Sequence, residues 1–123
     1  MSSVAIIPIL TLGKHREVSH SIAKVLAPHG FSVNGVLSSV PFRTSDLALA
    51  LRVLEPRPQP LLVGGVYNKE EAEQAQEVFN VYMREVGVSS GAFVRVEPDF
   101  VMKEGPENVG KWILKQLTAK FRS

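Results

Sequence analysis

Short apolar runs alternate along this chain with longer segments whose apolar residues repeat at helical spacing. Residues 4–10 are almost continuously apolar, as expected of a strand that is covered on both faces. Residues 14–27 follow with apolar positions four, three and one apart, and Pro28 and Gly30 then stop the predicted helix. We therefore predict that this strand, the polar turn after it and the returning helix organise the fold.

Three further strand-and-helix pairs follow with the same alternation. The predicted strands cover residues 31–37, 61–65 and 92–97. Thr44 or Ser45 is predicted to cap the second helix, and Asn68 with Glu71 resembles a capping box for a third helix that ends at Gly87. Residues 98–105 are predicted to form a loop before a last helix over residues 108–121, whose negative end Lys120 and Arg122 would stabilise.

The alternation predicts a single α/β domain over residues 1–123, with three layers and helices on both faces of a mostly parallel, Rossmann-like sheet. Right-handed crossovers favour the strand order 2-1-3-4. Pro8 lacks the N–H that a central strand uses, so we expect it near the strand's end, at a bulge or on an unpaired side. The fourth strand has one partly polar face, which indicates a sheet edge.

Composition narrows the class of protein without selecting one function. The chain has no cysteine, which excludes disulfides and thiolate chemistry and fits a reducing, cytoplasmic location. No apolar run approaches the roughly 18–20 residues that cross a bilayer, so we expect no membrane partner, and the N-terminus does not resemble a signal peptide. The net charge of +2 permits an anionic partner but does not require one.

Two predicted turns at the carboxyl edge of the sheet suit an anion, because ligands of open α/β sheets gather there. Each turn combines glycine with the N-terminus of a helix, where backbone N–H groups attract negative charge. The alternative is that the glycines only form tight turns and the basic side chains are only solvated. The candidate ligand-binding residues are Gly13, Lys14, His15 and Arg16 in the first turn and Gly64, Gly65 and Asn68 in the second.

The sequence contains no catalytic, cofactor or metal motif. It lacks a dinucleotide fingerprint, a Walker A loop, the acidic residues of a phosphoacceptor receiver and the motif of a cobalamin-binding domain. His15 and Ser19 lie four apart and Asp99 lies elsewhere, but helix-borne residues of this kind are usually solvent-facing, so we predict no catalytic triad. The histidines have no metal-binding spacing. We expect Phe42, Phe93 and Phe100 to be exposed aromatic side chains.

Several segments together resemble the anticodon-binding domain of class II aminoacyl-tRNA synthetases. The segments are Ile6-Ile7-Pro8-Ile9, Ser21-Ile22-Ala23-Lys24-Val25-Leu26, Gly30-Phe31-Ser32-Val33, Pro60-Leu61-Leu62-Val63-Gly64 and Phe93-Val94-Arg95-Val96. The chain departs from the family by inserting its third helix and by carrying residues 38–43 in place of a basic, glycine-containing segment. The resemblance implies an anticodon-binding-domain-like fold and a stand-alone binding module for RNA or a protein partner.

Three hypotheses about function follow. The first is a non-enzymatic α/β module that binds RNA or a protein partner. The second is a small domain that binds a nucleotide or another small anion at the two glycine-containing turns. The third is a homodimeric scaffold joined through Phe93 or through residues 100–102. An enzyme stays a possible alternative, less expected than these three because no residue set supports one.

Overall fold

Four parallel strands form the centre of the protein. The computed structural model describes residues 6–88, 91–97 and 99–121. The sheet has the order β2-β1-β3-β4, which confirms the predicted α/β fold and strand order. Three predicted features lie outside the described residues: the strand start at Val4, the loop start at Pro98 and the terminal cation Arg122. The strands are β1 (Ile7–Leu12), β2 (Phe31–Leu37), β3 (Pro60–Val63) and β4 (Ala92–Arg95).

The four helices connect and follow these strands in the predicted sequence. They are α1 (Arg16–Leu26), α2 (Thr44–Val53), α3 (Lys69–Val86) and α4 (Phe100–Phe121), and a 3-10 turn (Ala27–His29) follows α1. None of the helices in residues 6–88 or 99–121 is both long enough and apolar enough to cross a membrane.

Two details of the predicted helices are wrong. Neither Thr44 nor Ser45 caps α2, because Thr44 is already helical; instead the Arg43 N–H donates to the Ser39 hydroxyl at 2.9 Å. Helix also begins at Phe100, inside the predicted loop, and is interrupted at Gly105, which has φ 82° and ψ 156°. The loop prediction failed because a glycine-proline pair ends one helical segment and starts another, and both look like loop residues in a sequence.

Each face of the sheet carries its own hydrophobic core. Side chains of α1 and α4 pack on one face around Ile9, and side chains of α2 and α3 pack on the other around Leu10. Successive side chains of a strand point to opposite faces, which is why β1 is buried along its whole length. The α1–α4 contact is close, since a Cβ at Gly110 would lie 3.0 Å from Val25 Cγ2.

Pro8 occupies a position where its missing N–H is tolerated. The Pro8 carbonyl accepts the Gln59 N–H at 3.0 Å, just before β3 begins. The N–H and C=O groups of one residue in a parallel strand point to the same side, so the imide nitrogen faces the beginning of β3, where the ladder has not yet started. The pairing of β1 with β2 also shifts register after Ile9. Both observations agree with the predicted position near a strand end and a bulge.

Candidate functional site

A cavity of about 270 Å³ lies at the carboxyl edge of the sheet, on the face that α1 and α4 cover. Its sheet side is formed by Thr11 of β1, Leu62 of β3 and Val96, which follows β4. The turns after β1 and β3 form its rim. A parallel α/β sheet usually places its ligand site at this edge, beyond the carboxyl ends of the strands.

The two glycine-containing turns approach each other closely at the rim. The Gly13 N–H donates to the Leu37 carbonyl at 2.9 Å, and the Gly64 N–H donates to the Leu12 carbonyl at 2.8 Å. A Cβ added to Gly64 would lie 3.3 Å from the Leu12 carbonyl oxygen and 3.6 Å from Gly13 Cα, which is tighter than most such contacts. Glycine at position 64 therefore allows the two turns to meet.

Two largely buried residues with hydroxyl groups line the cavity, and neither hydroxyl has a hydrogen-bond partner in the described part of the chain. Thr11 is 7% exposed and Ser19 is 6% exposed. A Cβ added to Gly13 would meet Ser19 Oγ at 3.4 Å and the Thr11 methyl carbon at 3.6 Å. Neither hydroxyl oxygen is among the fully buried atoms without a partner, so both remain accessible from the cavity, where a ligand or water can bind them.

The N-terminus of α1 opens onto the same corner. His15 precedes the helix in an extended conformation, and no side chain caps it. The Ser19 N–H makes the first bond of the helix, to the His15 carbonyl at 3.1 Å, while the N–H groups of Arg16 and Glu17 have no acceptor within residues 6–88, 91–97 and 99–121. Free N–H groups and the helix dipole give this end a partial positive charge of about half a unit.

Helix α3 differs from α1 because side chains already cap its N-terminus. The Glu71 N–H donates to Asn68 Oδ1 at 2.8 Å, and the Asn68 N–H donates to Glu71 Oε1 at 3.0 Å. This confirms the predicted relative of a capping box. The cap occupies donors that an anion would otherwise use, so α1 is the better anion site of the two helices.

The other end of the cavity is apolar. Apolar side chains from α1, from the first segment of α4 and from its longer second segment meet there. Met102, at the margin, is 88% exposed. The helical side chains that line this end are Val18, Ile22, Val101, Met102 and Ile113.

The structure brings together five of the seven predicted site residues. Gly13, Lys14, His15, Gly64 and Gly65 line the cavity. Arg16 instead lines a separate shallow groove beside β2, together with His20. Asn68 is engaged in the cap of α3.

Thr11 and Ser19 are the lining residues that sequence reasoning missed. The prediction that Ser19 faces solvent is wrong, because Ser19 is three residues before Ile22 and shares its buried stripe. A polar residue on the apolar stripe of a helix, and another at the end of an apolar strand, are the sequence signals that could have found them.

The polar residues considered for catalysis or metal binding do not converge among the described residues. The nearest carboxylate to His15 in an ion pair is Glu17, at 3.9 Å from Nδ1, and no hydrogen bond links His15, Ser19 and Asp99 through their side chains. No group of three His, Asp or Glu side chains within residues 6–88, 91–97 and 99–121 could hold a metal ion.

The three aromatic residues predicted to be exposed are half-buried. Phe42 packs edge-on against Tyr67 with ring centroids 5.9 Å apart, and Phe93 packs against Phe79 at 6.5 Å. Phe100 packs edge-on against Trp112 at 5.3 Å. The prediction of exposure is wrong because these rings complete the two cores. The predicted dimer contact therefore retains only Met102 as a well-exposed apolar residue.

The geometry defines a parallel α/β protein with a cavity at the edge where such proteins bind ligands. Compared with models of known protein families the chain matches none, and it has no significant match among curated proteins. The resemblance to anticodon-binding domains, and the RNA or protein partner that it implies, therefore stay predictions.

Proposed function

We propose that this protein binds a small anionic molecule in the cavity at the carboxyl edge of its sheet. One observation carries the proposal: two largely buried residues, Thr11 and Ser19, line a cavity at the uncapped N-terminus of α1, and their hydroxyls have no hydrogen-bond partner among the described residues. The ligand's negative group accepts hydrogen bonds from these hydroxyls near the positive end of the α1 dipole, and Lys14 at the rim adds positive charge.

The size of the cavity limits the ligand. At about 30 Å³ for each water molecule in the liquid, 270 Å³ corresponds to about nine waters. This is slightly below the range of about 300–1,000 Å³ in which proteins bind drug-sized molecules. A dinucleotide is far larger than the cavity, and a mononucleotide would leave part of itself outside. A small metabolite fits this partly open cavity better than either.

Binding, rather than catalysis, is the function that these side chains support. A serine nucleophile needs a base within about 3 Å, and no described side chain makes a hydrogen bond to Ser19. The hydroxyls of Thr11 and Ser19 can nonetheless donate to an anion without changing their protonation state.

Amide spectra of the labelled protein, titrated with small anionic, neutral and cationic compounds, test the proposal. We expect anions to shift the resonances of residues 13–19 and 64–66. Gly13→Ala should abolish these shifts, because its methyl group would cover the Ser19 hydroxyl at ordinary contact distance and leave the fold intact.

Ser21→Ala is the matched control, since Ser21 lies on α1 outside the cavity and its hydroxyl donates to the Glu17 carbonyl. This variant should bind anions as the natural chain does. The proposal is wrong if no anion shifts the cavity resonances, or if Gly13→Ala binds anions unchanged.

A further inference from the structure

We infer that the ligand is a small monocarboxylic acid with an apolar tail, an inference that depends on the proposed anion site. The cavity has two chemically different ends. The Ser19 hydroxyl lies beside Gly13 at one end, together with Thr11, and the aliphatic side chains of Ile22, Val101 and Ile113 line the other. A ligand that satisfies both ends carries an acid group on a hydrocarbon body.

The polar end suits a single negative charge. Lys14 is the lysine that lines the cavity, and it lies exposed at the rim beside His15, while Arg16 lies in the other groove. The donors inside the cavity are neutral hydroxyls, and the helix end contributes about half a positive charge. A phosphate carries about two negative charges at pH 7, which need more compensation than a buried corner with neutral donors supplies.

The number of donors also agrees with a carboxylate. The Thr11 and Ser19 hydroxyls each supply one donor to the cavity, whereas Arg16 and Glu17, whose N–H groups are free, line a separate groove. A carboxylate has two oxygens with about four acceptor sites. The two hydroxyls can therefore satisfy one acceptor site on each carboxylate oxygen without a metal ion or an arginine fork.

The apolar end excludes a wholly polar acid. Leu62 and Val96 form the sheet side of this end, and α1 and α4 supply the remaining aliphatic groups. A polar tail would lose its hydrogen bonds to water there without finding new partners. Met102 stands at the margin with its flexible thioether side chain exposed, a residue type that adapts to tails of different shape.

Calorimetric titration with a series of straight-chain carboxylates, from acetate to octanoate, tests the inference on the full chain. The matched primary alcohols and inorganic phosphate are titrated in parallel. Affinity should rise about fourfold for each added methylene group until the cavity is full, and it should then stop rising. Each alcohol should bind at least tenfold more weakly than its acid, because it lacks the charge that the donors stabilise.

Two variants test the polar end and the apolar end of the cavity separately. Ser19→Ala should weaken the carboxylates about tenfold or more and the alcohols much less, since hydrogen bonds to a charged group are the stronger ones. Val101→Thr keeps the shape of the side chain but makes it polar. It should therefore reduce the increase in carboxylate affinity for each added methylene group, while the affinity for acetate stays unchanged.

The outcomes distinguish this inference from the proposed function. If phosphate binds more tightly than every carboxylate, or if carboxylate affinity does not depend on chain length, the inference is wrong and the anion site stands. If alcohols bind as well as their acids, the inference is also wrong. If no anion of any kind shifts the cavity resonances, the proposed function fails together with it.

Discussion

At the scale of single residues, Ser19 is the most informative side chain of the protein. It is 6% exposed on the apolar face of α1, next to Gly13, and its hydroxyl has no partner within the described ranges. The hydroxyl oxygen is not among the fully buried atoms without a partner, so it remains accessible from the cavity. The hydroxyl is therefore available to a ligand without the loss of a hydrogen bond inside the described part of the protein.

Ser19→Ala should increase the stability of the ligand-free protein by about 0.5 kcal/mol. The substitution introduces the best helix former at an interior helical position and breaks no hydrogen bond of the side chain within the described residues. Urea unfolding gives the free energy of unfolding directly. Ser21→Ala on the same helix gains only helix propensity and loses the bond to the Glu17 carbonyl, so it should gain less. A loss of stability in Ser19→Ala would show that the hydroxyl already has a strong partner.

At the scale of elements, α4 is two helical segments joined at Gly105. The first segment places Val101 and Met102 on the cavity, and the second contributes Ile113. Gly105 has φ 82° and ψ 156°, a backbone region that is essentially restricted to glycine. The direction of the first segment, and with it the apolar end of the cavity, therefore depends on this residue.

A comparison of two glycines tests this interpretation. Gly87 ends α3 in the left-handed helical region with φ 73° and ψ 27°, where asparagine is also found. A Cβ at Gly87 or at Gly105 would meet nothing within 4 Å, so only the backbone distinguishes the two sites. Gly105→Asn should lower the free energy of unfolding by about 1–3 kcal/mol, and Gly87→Asn by only a few tenths. Equal losses in chemical unfolding experiments would contradict the assigned role of Gly105.

At the scale of the whole molecule, two buried tyrosines help to hold the α2–α3 side of the sheet together. The Tyr82 hydroxyl donates to the Pro58 carbonyl at 2.8 Å, and the Tyr67 hydroxyl accepts the Ser39 N–H at 3.0 Å. Burial, as the largest effect, raises the pKa of both side chains. The folded protein therefore keeps these two protons at pH values where the unfolded chain has begun to release them.

This difference predicts a loss of stability in alkali. The two protonated tyrosines contribute fully to the free energy of unfolding below about pH 10, which is the pKa of tyrosine in an unfolded chain. This contribution is lost as pH rises from there through their higher pKa in the folded protein. Tyr82→Phe should lower the free energy of unfolding by about 1–3 kcal/mol at pH 7, because the Pro58 carbonyl loses its donor.

Above pH 10 the same variant should lose stability less steeply than the natural chain. Urea unfolding at a series of pH values from 7 to 11 measures both effects. Because lysines also titrate in this range, the comparison is between the two slopes and not between absolute values. Identical slopes would show that Tyr82 does not contribute to the alkaline transition.

The sequence by itself determined the architecture, because strand and helix periodicity, capping residues and the handedness of crossovers act locally or follow general rules. They predicted the order of β1 to β4, the capping box at Asn68 and the helix stop at Gly87, all of which the structure confirms. They also placed Gly13 and Gly64 at the carboxyl edge, where the structure finds both on the cavity rim.

Only the tertiary structure decided which polar groups face the cavity and lack partners. Ser19 and Thr11 are ordinary residues in their own segments, and their significance arises because α1 packs over β1 and brings both residues to the cavity beside Gly13. Whether a buried hydroxyl finds a partner depends on groups that are distant in sequence, and no local pattern encodes those distances. The segment beginning at Phe100 escaped prediction for a local reason, because Gly105 and Pro106 look like loop residues, although the segment is helical and forms part of the cavity wall.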